Sequence, residues 1–298
     1  MAEASIPVDL LNPGQVFACI GLTEAAEVLL GDAEGTFDWT DPTQTLFHVR
    51  ANGDQSPVEA VLTFLSRAEA VGVAPEGSEC LNGWTKSWGA TRIKPADEGY
   101  PIPLPASPAT VVCVLSDGKH SITIDHWGDD ANKTSRDNVK FWAGAGGYPG
   151  SALARDALDL VRSRIPEVLS NPFALGVPQS SSFRLDWRRD YVPLDAGFSL
   201  NQHTHIVTVG FPIVELLAAI GLSHARPNRP NPRDKLEYAY SVVGSLGETR
   251  TFFPLSLLRA ALGGASLPFP MRHFRMLLSW PGQEGQARAI TAVIEETK

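Results

Sequence analysis

The sequence predicts an α+β fold, a mixture of helices with largely antiparallel hairpins. Two short alternating apolar runs flank Asp117-Gly118, a pairing that reads as a β-hairpin. Elsewhere apolar residues return at steps of three and four, as they do on a helix. Strand-like runs sit next to one another across short turns, Pro281-Gly282 for example, instead of alternating regularly with helices.

The elements follow in order. A strand is expected over 5–10, and a turn at Asn12-Pro13-Gly14. A helix over 16–30 carries Val16, Ile20 and Leu29 at helical spacing and stops at Gly31. Its start leaves free amides able to hold a phosphate or a carboxylate, although such an entry needs no ligand to exist. Two strands flank Asp41-Pro42. Ser56 then caps a helix with Pro57 in its first turn and Val58, Val61, Leu62 and Leu65 as its buried stripe. Six prolines between positions 75 and 108 mark a surface excursion or a linker. The hairpin comes next, pairing 111–115 with 121–125.

Beyond a glycine-rich stretch, a helix capped by Ser151 turns Leu153, Ala157, Leu160 and Val161 inward. A short strand over 181–190 alternates Phe183, Leu185 and Trp187 on one face with Arg184, Asp186 and Arg188 on the other. On that reading the basic face is outward and Asp186 orients an arginine. A helix over 212–222, further strands, a helix starting near Pro254 and two terminal strands complete the chain. Ile-Gly-Leu occurs in both the first helix and the helix at 212–222, a short internal likeness. The 298 residues suit one large domain or two small ones. The division falls at 1–108 and 109–298, with one continuous domain as the alternative.

Lys and Arg number 25 against 33 Asp and Glu, a net charge of -8. That balance excludes coating of nucleic acid by bulk attraction and leaves room for a local basic strip. Three cysteines without metal-ligand spacing point to a reducing, cytoplasmic setting. No signal peptide or long apolar run is evident, so neither secretion nor a membrane span is expected.

Enzyme signatures are absent. "GAGGYPG" lacks the spacing and the terminal lysine of a phosphate loop, and Pro149 interrupts it. His203 and His205 would share one face of a strand, but nothing nearby completes a zinc site, and packing explains them as well. Cys19 and Cys113 sit in apolar patterns that suit a core. No catalytic residue, metal or cofactor is expected.

Basic and aromatic residues interleave most densely in "TSRDNVKFWAGAGGYPG" and just before it. Lys133, Arg136 and Lys140 carry the charge to meet phosphates. Asn138 can reach a base edge, while Phe141 and Trp142 can stack or wedge. The same residues also suit an ordered loop anchored by its aromatics. A second cluster is Arg184, Arg188 and Arg189. A third is "SHARPNRPNPRDK", where Arg226, Arg229, Arg233 and Lys235 among prolines suggest an extended positive arm or a plain linker.

Three segments carry a family likeness: "VDLLNPGQVFACIGLTEAAEVLLGDAEGTFDW", "SSFRLDWRRDYVPLDAGFSL" and "FPIVELLAAIGLSHARP". Together they resemble the Csb-type and Csx-type CRISPR-associated proteins of type I-U (I-G) loci, in particular a small protein related to the large subunit of the Cascade surveillance complex. The resemblance implies a non-catalytic subunit that works beside other Cascade subunits and a guide RNA on double-stranded target DNA. Such a subunit would contact the motif flanking the target and hold the opened duplex. A structural adaptor that bridges neighbouring subunits without touching DNA is the alternative.

Overall fold

In the computed structural model the described residues are 1–41, 43–78, 90–93, 111–125, 150–179, 182–189, 208–231, 234, 236–247, 250–279 and 289–297. In chain order β1 (Ala2–Pro7) leads into α1 (Pro13–Leu30), the hairpin of β2 (Glu34–Asp38) and β3 (Leu46–Ala51), α2 (Pro57–Arg67) and β4 (Glu69–Pro75). Then come β5 (Ala90–Ile93), the hairpin of β6 (Val112–Ser116) and β7 (Ser121–Ile124), α3 (Gly150–Val161) and β8 (Val177–Pro178). The chain continues with β9 (Val209–Gly210), α4 (Pro212–His224), β10 (Glu237–Ser245), β11 (Phe253–Pro254) and α5 (Leu255–Leu262). It ends in β12 (Met271–Ser279) and β13 (Ala289–Glu296).

The larger sheet runs β1-β3-β2-β10-β12-β13, with β11 paired beside β2. Its pairings are antiparallel except β2 with β10, where Phe37 lies beside Gly244 in parallel. A smaller sheet runs β5-β4-β6-β7, with β4 and β5 parallel. The α+β class therefore holds. The hairpin at Asp117-Gly118 forms with Ser116 opposite Ser121, and Ser56 caps α2 by accepting from the Glu59 amide.

Two helices lie at the centre, and neither is one-sided. The sequence places Val16, Ile20 and Leu29 of α1 at helical spacing, and in the fold every residue from Pro13 to Ala26 is buried. In α4 every residue from Pro212 to Leu222 is buried. The reason is compositional: a helix apolar around its whole circumference has to be covered on all sides. The shared Ile-Gly-Leu marks where the two cross. A Cβ on Gly21 would lie 1.8 Å from the Leu217 carbonyl oxygen, and one on Gly221 would lie 2.4 Å from that of Phe17. Glycine at both positions lets the backbones touch.

Packed against this pair, the Tyr240 ring stacks on Phe274 at 5.1 Å and meets Phe17 edge-on at 6.0 Å. Its hydroxyl donates to the Leu10 carbonyl at 2.7 Å, which gives the one polar atom of a buried aromatic its partner. One apolar cluster joins residues from both sides of position 108, including α1, α2, α4 and β10. Among the described residues no helix is long and apolar enough to cross a membrane.

Candidate functional site: an arginine-lined cleft

The strand expected over 181–190 does not form in its described residues, 182–189. Residues 182–186 are irregular and 187–189 make a single 3-10 turn. Long-range anchors override the alternation of residue types. Glu215, wholly buried in the first turn of α4, accepts from the amides of Leu185 and Asp186 at 3.0–3.1 Å. Those backbone donors are thereby withdrawn from any strand ladder. Arg184 takes a positive φ of 60°. A Cβ on Gly14 would lie 2.3 Å from the Leu185 carbonyl oxygen, so the start of α1 lies directly against this segment.

The segment delivers Asp186 into the core with no exposed surface. Its Oδ1 accepts from Asn12 Nδ2 at 2.9 Å and from the Arg188 amide at 3.1 Å. The Arg188 guanidinium grips the same carboxylate, Nε to Oδ1 at 2.9 Å and Nη2 to Oδ2 at 2.5 Å. The expectation that Asp186 orients an arginine is thus met, by a fork rather than by strand parity. Nη2 also donates to the Phe173 carbonyl at 2.9 Å. The guanidinium carbon lies 3.4 Å from the centre of the Phe211 ring. Fork, carbonyl and ring together fix a planar cation.

Arg188 lines an open cleft of about 480 Å³ walled by the β1–α1 connection, residues 43–45 and residues 171–174. A second arginine lines it, Arg272 on β12. Arg272 donates to both carboxylate oxygens of Glu295 on β13 at 2.6 Å. That pairing raises the pKa of the arginine and lowers that of the Glu295 carboxyl. The turn at 187–189 lies against β13, which brings the two forks into one neighbourhood. Asp9, Thr43, Gln44 and Asn171 add polar groups to the walls, and half-exposed Leu11 adds an apolar one.

Sequence reasoning missed Arg272, although a signal existed. Phe274, Met276 and Leu278 are the buried residues of β12, and Arg272 shares their parity. An arginine on the apolar side of a strand is the informative kind of exception.

The other expected residues fall in three groups. Lys133, Arg136, Asn138, Lys140, Phe141 and Trp142 lie outside the described residues, as do His203, His205, Arg233 and Lys235. Arg189 closes the 3-10 turn. Arg226 and Arg229 are half-buried, and their segment is no free arm. Asn228 and Ala239 exchange backbone hydrogen bonds of 2.7 and 2.8 Å, which dock it on β10, and Arg229 Nε donates to the Asp234 carbonyl. Proline stiffness does not prevent an isolated bridge of this kind.

Cys19 and Cys113 are buried. Burial raises both thiols, that of Cys113 to about 12, so neither supplies a thiolate at neutral pH. Among the described residues no group of His, Cys, Asp and Glu is placed to hold a metal ion.

No family model, no curated protein and no solved structure matches the chain.

Proposed function

We propose that this chain is a non-catalytic subunit of a type I CRISPR guide-RNA surveillance complex, contacting target DNA beside its flanking motif and steadying the opened duplex. The observation that supports it best is the cleft: two arginines held in place by carboxylate forks on one concave face. The guanidinium of Arg188, fixed by its buried fork, is suited to phosphate, because its orientation costs no further ordering when the ligand arrives. The resemblance of three chain segments to type I-U (I-G) proteins supplies the biological setting. In that setting other Cascade subunits and the guide RNA are the partners, and base pairing reads the sequence.

In this reading Lys133, Arg136 and Lys140 touch phosphates, Asn138 reaches a base edge, and Phe141 or Trp142 wedges the duplex. A net charge of -8 leaves the isolated chain with weak, salt-sensitive binding, so affinity comes from the assembly. Replacing Lys133, Arg136 and Lys140 together by Gln is expected to weaken target binding by the assembled complex and to flatten its salt dependence, with assembly intact. Equal binding and an equal salt slope would remove this strip from the proposal.

A second reading has its own support. Both cleft arginines already carry an internal counter-ion, which suits an adaptor that bridges neighbouring subunits without touching DNA.

A further inference from the structure

The two arginines of the cleft are held differently. Asp186 is wholly buried and its carboxylate takes hydrogen bonds from Asn12 and Arg188. It has no route into water. Glu295 is 38% exposed on β13, the last strand of its sheet, and its fork with Arg272 is its contact across the cleft wall. A solvated carboxylate of this kind can leave its arginine and be rehydrated at little cost. In neither guanidinium does Nη1 bond to a described residue: Arg188 uses Nε and Nη2, and so does Arg272. Among the described residues, then, Nη1 of each arginine is available to a further acceptor.

Resting on the nucleic-acid reading above, we propose that this cleft binds the phosphate of a single-stranded nucleic acid, and that Glu295 is the built-in anion with which that phosphate competes for Arg272. The charges lining the site explain why a competitor matters. Arg188 and Arg272 face Asp186, Glu295 and Asp9, two cations against three carboxylates, and withdrawal of Glu295 brings these charges into balance and uncovers the Nε and Nη2 donors of Arg272. The concave shape favours a single strand, whose phosphate can enter while sugar and base rest on the apolar wall at Leu11. A free phosphate presents the same oxygens, so the two sources are separated by experiment.

The test uses the full chain at low salt. Anisotropy follows a short labelled single-stranded oligonucleotide, and calorimetry follows inorganic phosphate. Arg272→Gln is expected to weaken oligonucleotide binding about ten- to a hundredfold, the worth of a charge-assisted hydrogen bond. Glu295→Gln is expected to strengthen it about two- to fivefold, the worth of an exposed ion pair. Inorganic phosphate should displace the oligonucleotide from the wild-type chain.

Oligonucleotide binding unchanged by both substitutions would overturn the cleft proposal and leave the nucleic-acid reading resting on the strip at Lys133, Arg136 and Lys140 alone. Phosphate binding that depends on Arg272, without oligonucleotide binding, would keep the phosphate site and overturn the assignment to a nucleic-acid strand. Absence of both would overturn the cleft as an anion site.

Discussion

Arg188–Asp186 and Arg272–Glu295 make the same fork on the same cleft, yet one carboxylate is wholly buried and the other 38% exposed. The difference teaches what each pair is for. A wholly buried carboxylate stripped of its arginine leaves a charge without solvent. An exposed pair gains little from its Coulomb attraction and loses little when parted. The first fork therefore belongs to the fold, and the second is free to respond to a ligand.

Stability measurements can break that contrast. Asp186→Ala is expected to cost about 2–4 kcal/mol in urea unfolding, since it leaves the buried Asn12 donor without a partner and takes the charged acceptor from Arg188. A loss below about 1 kcal/mol would place the fork among surface pairs.

Histidines supply a second contrast of intermediate size. His224 Nδ1 lies 2.6 Å from Glu24 Oε1, and that hydrogen bond raises its pKa above 6.5 despite opposing burial and Arg259. The stabilisation is complete below 6.5 and is lost as pH rises through the raised value. His48 is the reverse case. Burial first, then Arg250, lower its pKa, against the pull of Asp38 and Glu3. Its contribution is present above 6.5 and is lost as pH falls from there through the lowered value. His224→Gln should therefore narrow the gap in Tm to wild type between about pH 6 and about pH 9. An unchanged gap would show that the Glu24 contact carries no pH dependence.

The smallest expected effect is that of Glu295→Gln on stability, within about 1 kcal/mol in the same urea assay. Arg272 holds the Glu295 carboxyl below its ordinary value, so this small difference is present above about pH 4.5 and fades as pH falls through the lowered value. A loss as large as that of Asp186→Ala would erase the distinction between the forks.

The fold was legible wherever neighbouring residues decide the structure. Asp117-Gly118 makes its hairpin, and Ser56 and Pro57 open α2, because turn and cap chemistry acts over a few positions. The strand expected at 181–190 fails, over its described residues, for the opposite reason. Its alternation is overruled by Glu215, thirty residues away, and by the close approach of Gly14. The Ile-Gly-Leu likeness was visible, but its meaning, a backbone-to-backbone helix crossing, emerges only when Gly21 meets Gly221. At the site, Arg188 and the orienting role of Asp186 were readable from proximity in sequence. Arg272 was not singled out, because the cleft brings together chain positions from 7 to 272.

The most direct measurement is photocrosslinking in an assembly of the proposed kind, with a photoreactive base placed along the target DNA beside the flanking motif. Crosslinked peptides are expected from residues 132–148 and from the cleft around Arg188 and Arg272. Crosslinks confined to neighbouring subunits, with none to this chain, would contradict that expectation and establish the adaptor instead.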